Sequence, residues 1–570
     1  MTTSSRRGQN LWFDSDGAFT GAAWYWPQAG APRSTAVVIV AGMAHEERSM
    51  ASGLVALAES LADAGLAALL FDLHGCSQSA GRLDEPEIGE RWRANVRAAV
   101  ARARAAGFAQ VIVVGVRLGA TIAFEALADE PLAALVAWAP VVTGRRHVRE
   151  LKVLQRTTDA GPGGLSIAIG GFSIPAPVLE HVAKLDLLQL AGLRTARVLL
   201  LDETSGLNAP WLARLAEQGV QVEELESTQI QPWLFGAGDQ PEIPGDDIQC
   251  LARWCRAAHD AMASASDAGP ARPALSPSVS FTHQGRSVRE TFVEIGPNGL
   301  TGVLSEPAVA PAGTAVRLLM STVGPGRTFT DFARDEASRG HSSLRFDFAG
   351  FGTSGRGESI QGGELYTDEG GRDVTAAIDH LRRAGHERVF MLGFCAGAWS
   401  MMQAGVRPEV RASVAINVAL YRQPGVATVE LVHSTRQKLA KLSPALARNS
   451  LLRWIAARVR RTATERREPV EWLTKLCASD IRVMLAYAEL DPGLNYLNGQ
   501  MANGLREQLR KPFALQTYAG LGHLAEGPTA RARVFRDITD FFASLDREEA
   551  AVQASPRRQH AHAPTAALGD

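Results

Sequence analysis

The chain has 570 residues, too many for one hydrophobic core, and length alone suggests about three or four domains. Its 46% hydrophobic and 21% charged residues describe a soluble globular protein, and a net charge of −1 gives no general nucleic-acid signature. The five cysteines are scattered except for Cys250 and Cys255, which fall on opposite faces of one helix. Neither a disulfide nor a zinc site is therefore expected, and a reducing cytosol suits the pattern.

The N-terminus, MTTSSRRGQN, lacks an apolar stretch after its arginines, so a signal peptide is not expected. No apolar run approaches the roughly 18 residues that span a bilayer. Strand-like segments at Asn10–Trp26 open the chain. A strand at Thr35–Val40 leads into the loop AGMAHEER, a helix near Met50–Ala64 and the strand LAALLFD, ending at Asp72. The turn HGCSQSAG, an alanine-rich helix near Glu87–Ala106, the strand VIVVG and the turn VRLGA follow. Residues 257–280 are rich in Ala, Ser and Pro and read as a linker.

The same order of events then recurs. Strand-like segments occupy Ser278–Glu306. The strand Ala315–Ser321 precedes the loop TVGPGRT, a helix and the strand SSLRFD, ending at Asp347. The turn FAGFGTSG, a helix near Gly371–Ala384, the strand VFML and the turn GFCAGA complete the repeat. Strands alternating with helices predict an α/β fold with mostly parallel sheets flanked by helices. A period of about 280 residues is a whole domain, so the reading is two tandem domains, not a solenoid. The predicted division is 1–256, linker 257–280, 281–546 with a helical cap at about 421–480, and a disordered tail at 547–570. The tail's HAH reads as a solvated segment, not a metal site.

GFCAGA, directly after an apolar strand, has the form of a nucleophile elbow: a sharp turn raises one reactive side chain above the sheet, and a helix starts behind it. Glycines at 393 and 397 leave room where side chains would collide, and the helix start favours a thiolate at Cys395. Together with DFAGFGTSG, AELDPG and GLGH, this elbow makes the second half resemble the α/β-hydrolase superfamily. The resemblance implies a triad in the order Cys395, Asp491, His523, with Glu489 as an alternative acid. It also implies an oxyanion hole formed by the N–H of Ala396 and that of Thr322 or Val323. Asp347 is expected to shape a loop beside the pocket, and no cofactor or metal is called for.

The first half resembles the same superfamily, and more narrowly the hydrolase-like proteins found with bacterial exosortase systems, through GVRLGAT and the HEERSM loop. Its elbow position is Arg117, which stays protonated and cannot attack. Thr204 falls opposite Asp491, Asp202 opposite Glu489, and STQIQPWLFG replaces GLGHLAEG without a histidine. That combination implies a degenerate, non-catalytic domain. His45, Glu46 and His74 are expected at its surface near the vestigial pocket, where they could line a binding site. Cys76, Cys250, Cys255 and Cys477 read as packing residues.

The segment between Tyr421 and Asp480 carries Arg436, Lys438, Lys441, Arg448, Arg453, Arg458, Arg460, Arg461, Arg466 and Arg467. It reads either as a solvated face or as a basic lid for an anionic acyl carrier such as coenzyme A or an acyl carrier protein. Three functions remain open. Acyl transfer through an acyl-cysteine is favoured, because thioester-to-cysteine exchange is nearly isoenergetic and because the turn resembles those of polyhydroxyalkanoate synthases and cyclising thioesterase-like domains. Hydrolysis of an ester, thioester or lactone, as in dienelactone hydrolases, is the alternative, and a non-catalytic scaffold is the third. The expected setting is cytoplasmic, with no nucleic-acid partner and no membrane span. Oligomeric state is left open.

Overall fold

A computed structural model describes residues 8–28, 30–155, 166–203, 206, 208–235, 243–262, 269–309, 314–354, 365–422, 468–509, 511 and 513–554. Two large sheets dominate it. The first contains β1 (Gly8–Ser15), β2 (Ala18–Tyr25), β3 (Thr35–Val40), β4 (Ala67–Phe71), β5 (Gln110–Val116) and β6 (Ala134–Trp138). A separate hairpin, β7 (Ile167–Ile169) and β8 (Phe172–Ile174), precedes its last strands, β9 (Arg197–Asp202) and β10 (Gln221–Glu226). The second sheet holds β11 (Ser278–His283), β12 (Arg286–Ile295), β13 (Leu300–Pro307), β14 (Val316–Leu319) and β15 (Ser343–Phe346). It continues through β16 (Val389–Phe394), β17 (Val410–Ile416), β18 (Arg482–Ala488) and β19 (Ala514–Tyr518).

The first sheet runs β1-β2-β4-β3-β5-β6-β9-β10 and the second β11-β12-β13-β15-β14-β16-β17-β18-β19. With β11 set aside, the two orders are the same. In each, the first two pairs along that order are antiparallel and every later pair is parallel. This is the α/β-hydrolase sheet, twice. The central strands are short and buried on both faces; Thr35–Val40 has no exposed residue. Such runs suit parallel strands covered by helices above and below, and each sheet indeed carries an apolar layer on both faces. The helix preceding the second sheet extends to Met262.

The two halves meet along a dense seam. Trp12 of β1 stacks on Phe292 of β12 with centroids 4.6 Å apart, and Phe19 meets Phe281 at 4.5 Å. The Arg334 guanidinium lies over both Phe19 and Phe281. Arg327, almost fully buried, donates Nε to the Ser77 carbonyl (3.1 Å) and Nη2 to that of Ser79 (2.6 Å), and also bonds the Gly81 carbonyl. Thus the turn HGCSQSAG of the first half is held by cations of the second.

Of the cap segment, 423–467 and all ten basic residues named above lie outside the described residues. The helix Glu468–Ala478 is described, with Trp472 edge-on to Trp399 at 4.9 Å. Thr204 also lies outside them. Two expectations for the first half need correction. His74 and Glu46 are buried, 4% and 2% exposed, not surface residues. His74 is drawn inward because its backbone N–H meets Asn95 and its ring meets Glu85 at 2.8 Å; Glu46 is drawn inward by Arg117. Among the other cysteines Cys76, Cys255 and Cys477 are buried and Cys250 is half-buried.

Candidate functional site

Cys395 follows β16 and heads the helix Ala396–Gln403 with φ 48° and ψ −114°. A non-glycine residue held in this region stores strain, which the surrounding packing must sustain. The packing is specific. A Cβ on Gly393 would lie 2.5 Å from Ala398 Cα, and one on Gly397 would lie 3.0 Å from Met320 Cβ. The glycine pair therefore lets the helix close onto the strand and forces the sulfur outward.

The sulfur lies 3.1 Å from His523 Nε2, and His523 Nδ1 lies 2.5 Å from Asp491 Oδ2. Asp491 is 3% exposed, and its other oxygen accepts the Gly493 N–H at 2.7 Å, capping the helix Pro492–Gln500. Glu489 sits two residues earlier on the exposed side of the chain, and its N–H bonds Tyr518 O. Of the two acids, Asp491 is the one brought to the imidazole.

Electrostatics follow from that line. Burial pushes the Cys395 thiol upward, but the hydrogen bond and charge of His523, the Tyr366 hydroxyl and the Ala396 N–H outweigh it, and the net pKa is lowered. Burial pushes His523 downward, but bonds to Asp491 and to the sulfur reverse this and raise it to about 11. Each group thus favours the charged form of the other, thiolate beside imidazolium.

Two residues not singled out from the sequence complete the site. Tyr366 points its hydroxyl at Cys395 Sγ, 3.4 Å away, and its ring packs edge-on to Trp399. Asn417, fully buried at the end of β17, donates Nδ2 to the His523 carbonyl at 2.7 Å and accepts the Ala488 N–H at 2.8 Å. It ties the histidine loop to the end of β18. A polar residue directly after an apolar strand was the available signal for Asn417; Tyr366 had none.

The expected oxyanion donors divide. The Ala396 N–H faces the sulfur. The Thr322 N–H does not face the site: it donates to Asp347 Oδ1 at 2.8 Å, with Thr322 Oγ1 on Oδ2 at 2.7 Å. Asp347 thus shapes this loop and takes up that donor. The Val323 N–H makes a long 3.4 Å contact to Ser321 Oγ.

At the first elbow Arg117 has almost the same backbone, φ 52° and ψ −126°. Its Nε donates to Glu46 Oε1 at 3.0 Å and its Nη2 to Glu150 Oε2 at 3.4 Å. The same turn here carries an ion pair. The first half also reaches the second site directly. Gly171, in the β7–β8 turn with φ +89°, is so close to the second half that a Cβ there would lie 2.7 Å from Leu524 O and 3.0 Å from Pro325 Cβ. The hairpin is therefore wedged between the loop after β14 and the loop carrying His523.

Among the described residues no helix is long and apolar enough to cross a membrane. No family model and no curated protein sequence matches the chain. Several solved structures are similar in part. Est1E from Butyrivibrio proteoclasticus, with ferulic acid bound, is 20% identical over 44% of this chain and 97% of its own, with a TM-score of 0.33. XC6422 from Xanthomonas campestris, an α/β serine hydrolase without a lid, is 16% identical over 47% of this chain and 98% of its own (TM-score 0.30). A CIB-like hydrolase from Thermoplasma acidophilum is 14% identical over 44% and 98% (TM-score 0.27). The order and direction of the strands define the fold.

Proposed function

We propose that the second half performs acyl transfer or acyl hydrolysis through an acyl-Cys395 intermediate, with His523 as base and acid and Asp491 as its orienting partner. The observation that carries this reading is the unbroken line from sulfur to imidazole to buried carboxylate at the head of a strained elbow. The Cys395 thiolate attacks the carbonyl carbon of a thioester or activated ester. The N–H groups of Ala396 and Val323 receive the developing oxyanion. Collapse breaks the bond to the leaving group, which takes the proton from His523 Nε2. An acceptor thiol, alcohol, amine or water then gives its proton to His523 and attacks the acyl-cysteine, restoring the thiolate. Transfer is favoured because sulfur-to-sulfur exchange is nearly isoenergetic. The second reading, an esterase, thioesterase or lactone hydrolase of the dienelactone-hydrolase kind, differs only in letting water reach the intermediate. A purely scaffolding chain fits the first half but leaves the second half's assembled line of groups without a role.

In this reading 1–256 is a degenerate hydrolase domain like those of exosortase systems, 257–280 a linker, 281–546 the catalytic domain with a cap near 421–480, and 547–570 a tail. A reducing, cytoplasmic setting suits a thiol nucleophile. The acyl donor is an acyl thioester of coenzyme A or of an acyl carrier protein.

Intact-mass spectrometry after incubation with acyl-CoA and aryl esters tests the proposal. A mass gain equal to the acyl group, mapped to Cys395 and absent in Cys395→Ala, is expected. Turnover that persists unchanged in Cys395→Ala would sink the assignment. Added alcohols and amines separate transfer from hydrolysis by whether the acyl group appears on the acceptor.

A further inference from the structure

The β7–β8 turn is gripped from both halves. Arg531, in the last helix, donates Nη1 to the Gly171 carbonyl at 2.8 Å. Arg48, in the first turn of the helix His45–Asp63, donates Nη1 to the neighbouring Gly170 carbonyl at 3.3 Å. This turn is the one wedged against Leu524, directly after His523. The bond therefore holds the Arg48 guanidinium near the loop that carries His523. Its side chain reaches solvent, yet protein surrounds it densely enough that desolvation is the largest influence on its pKa and lowers it. The charges of Cys395 and Glu526 act in the opposite direction.

Among the described residues Arg48 forms no ion pair, and the Gly170 carbonyl occupies only one of the five guanidinium donors. The sulfur does not call for this cation, because His523 already supplies its counter-charge. Glu526, for its part, accepts the Leu524 N–H with Oε2 at 3.0 Å. A solvent-reachable guanidinium near the His523 loop, tethered to the Gly170 carbonyl and in no ion pair among the described residues, matches an anion brought by the ligand.

We propose that Arg48, a residue of the first half, is a specificity determinant that binds a carboxylate or phosphate on the substrate of Cys395. This rests on the proposed acyl chemistry for its biological meaning, but not for its test. Iodoacetate and iodoacetamide alkylate a thiolate by the same displacement of iodide and differ in one negative charge. In the full-length protein the rate ratio of iodoacetate to iodoacetamide at Cys395, followed by mass spectrometry, should fall about tenfold or more in Arg48→Ala and be partly retained in Arg48→Lys. A ratio within about twofold of the parent in Arg48→Ala overturns the proposal, and so does loss of the ratio in Arg48→Lys equal to that in Arg48→Ala.

Thioester arms then locate the anion. Comparing glutaryl with pentanoyl thioesters of N-acetylcysteamine reports a carboxylate on the acyl group. Comparing one neutral acyl group on coenzyme A and on N-acetylcysteamine reports the carrier's phosphates. If the alkylation ratio falls while no thioester acylates Cys395, the acyl reading fails and anion recognition by Arg48 stands. If every thioester acylates Cys395 while the ratio is unmoved, the reverse holds.

Discussion

Replacing Glu290 with glutamine should destabilise the protein at the seam between its halves. Glu290 is fully buried in β12. Its Oε1 accepts from Arg345 Nη2 at 2.7 Å, Ser305 Oγ at 2.9 Å and Arg334 Nε at 3.1 Å, and its Oε2 accepts from Arg334 Nη2 at 2.7 Å. The same two arginines reach across to the first half, Arg334 to the Gln78 carbonyl and Arg345 to Gln78 Oε1, both at 2.6 Å. Burial alone would raise the Glu290 pKa, but the two guanidiniums more than reverse this and hold it at about 2 against an ordinary 4.5. At about 1.4 kcal/mol for each pH unit, that preference for the charged form amounts to roughly 3 kcal/mol.

Arg345 points the other way. Burial holds it down at about 10 despite Glu290, because two cations share one carboxylate. The cluster as a whole is therefore not a net source of that energy, but removing its anion leaves two buried guanidiniums under-neutralised. Measured losses for such a break are about 3–5 kcal/mol. Urea unfolding of parent and Glu290→Gln should differ by that order. Because the folded pKa is depressed, the parent's advantage is complete above pH 4.5 and disappears as pH falls from 4.5 toward 2. A Glu290→Gln protein within about 0.5 kcal/mol of the parent at neutral pH would refute this account of the seam.

Two further outcomes concern the site. Asp491→Asn should lower acylation of Cys395 at neutral pH by about a hundredfold or more, through loss of the charge that holds the imidazolium. Glu489→Gln, on the exposed side of the chain, should cost less than about threefold, and a greater loss in Glu489→Gln than in Asp491→Asn would reassign the acid. Tyr366→Phe removes a donor to the thiolate, so the pH profile of Cys395 alkylation should move to higher pH by about half a unit to one unit. A profile that stays put, or moves to lower pH, would show that the hydroxyl does not stabilise the anion.

Both elbows were legible in the sequence because their constraints are local: a strand, two glycines and a helix start within six residues. The paired sheets followed from strand and helix patterns that recur in order. The acid was narrower than spacing could decide, since Glu489 and Asp491 are two residues apart and only burial separates them. Thr322 and Val323 were equally eligible as donors until Asp347 turned one N–H away. Tyr366 and the β7–β8 turn were illegible for a different reason. Each reaches Cys395 or its surroundings from a distant segment, and such contacts depend on how whole sheets pack. The burial of His74 and Glu46 escaped the sequence likewise, because their partners lie 11 to 71 residues away.

The first elbow also makes two positions far apart in the sequence interdependent. Glu46 is 2% exposed, and its charge is held by Arg117 on a turn shaped to present a nucleophile. Changing Arg117 to cysteine would leave that carboxylate buried without its cation, at a cost of several kcal/mol. Any uncharged residue at this turn therefore calls for a coordinated change at Glu46. Change at either position alone is opposed by folding, so stability by itself keeps the two residues a matched pair.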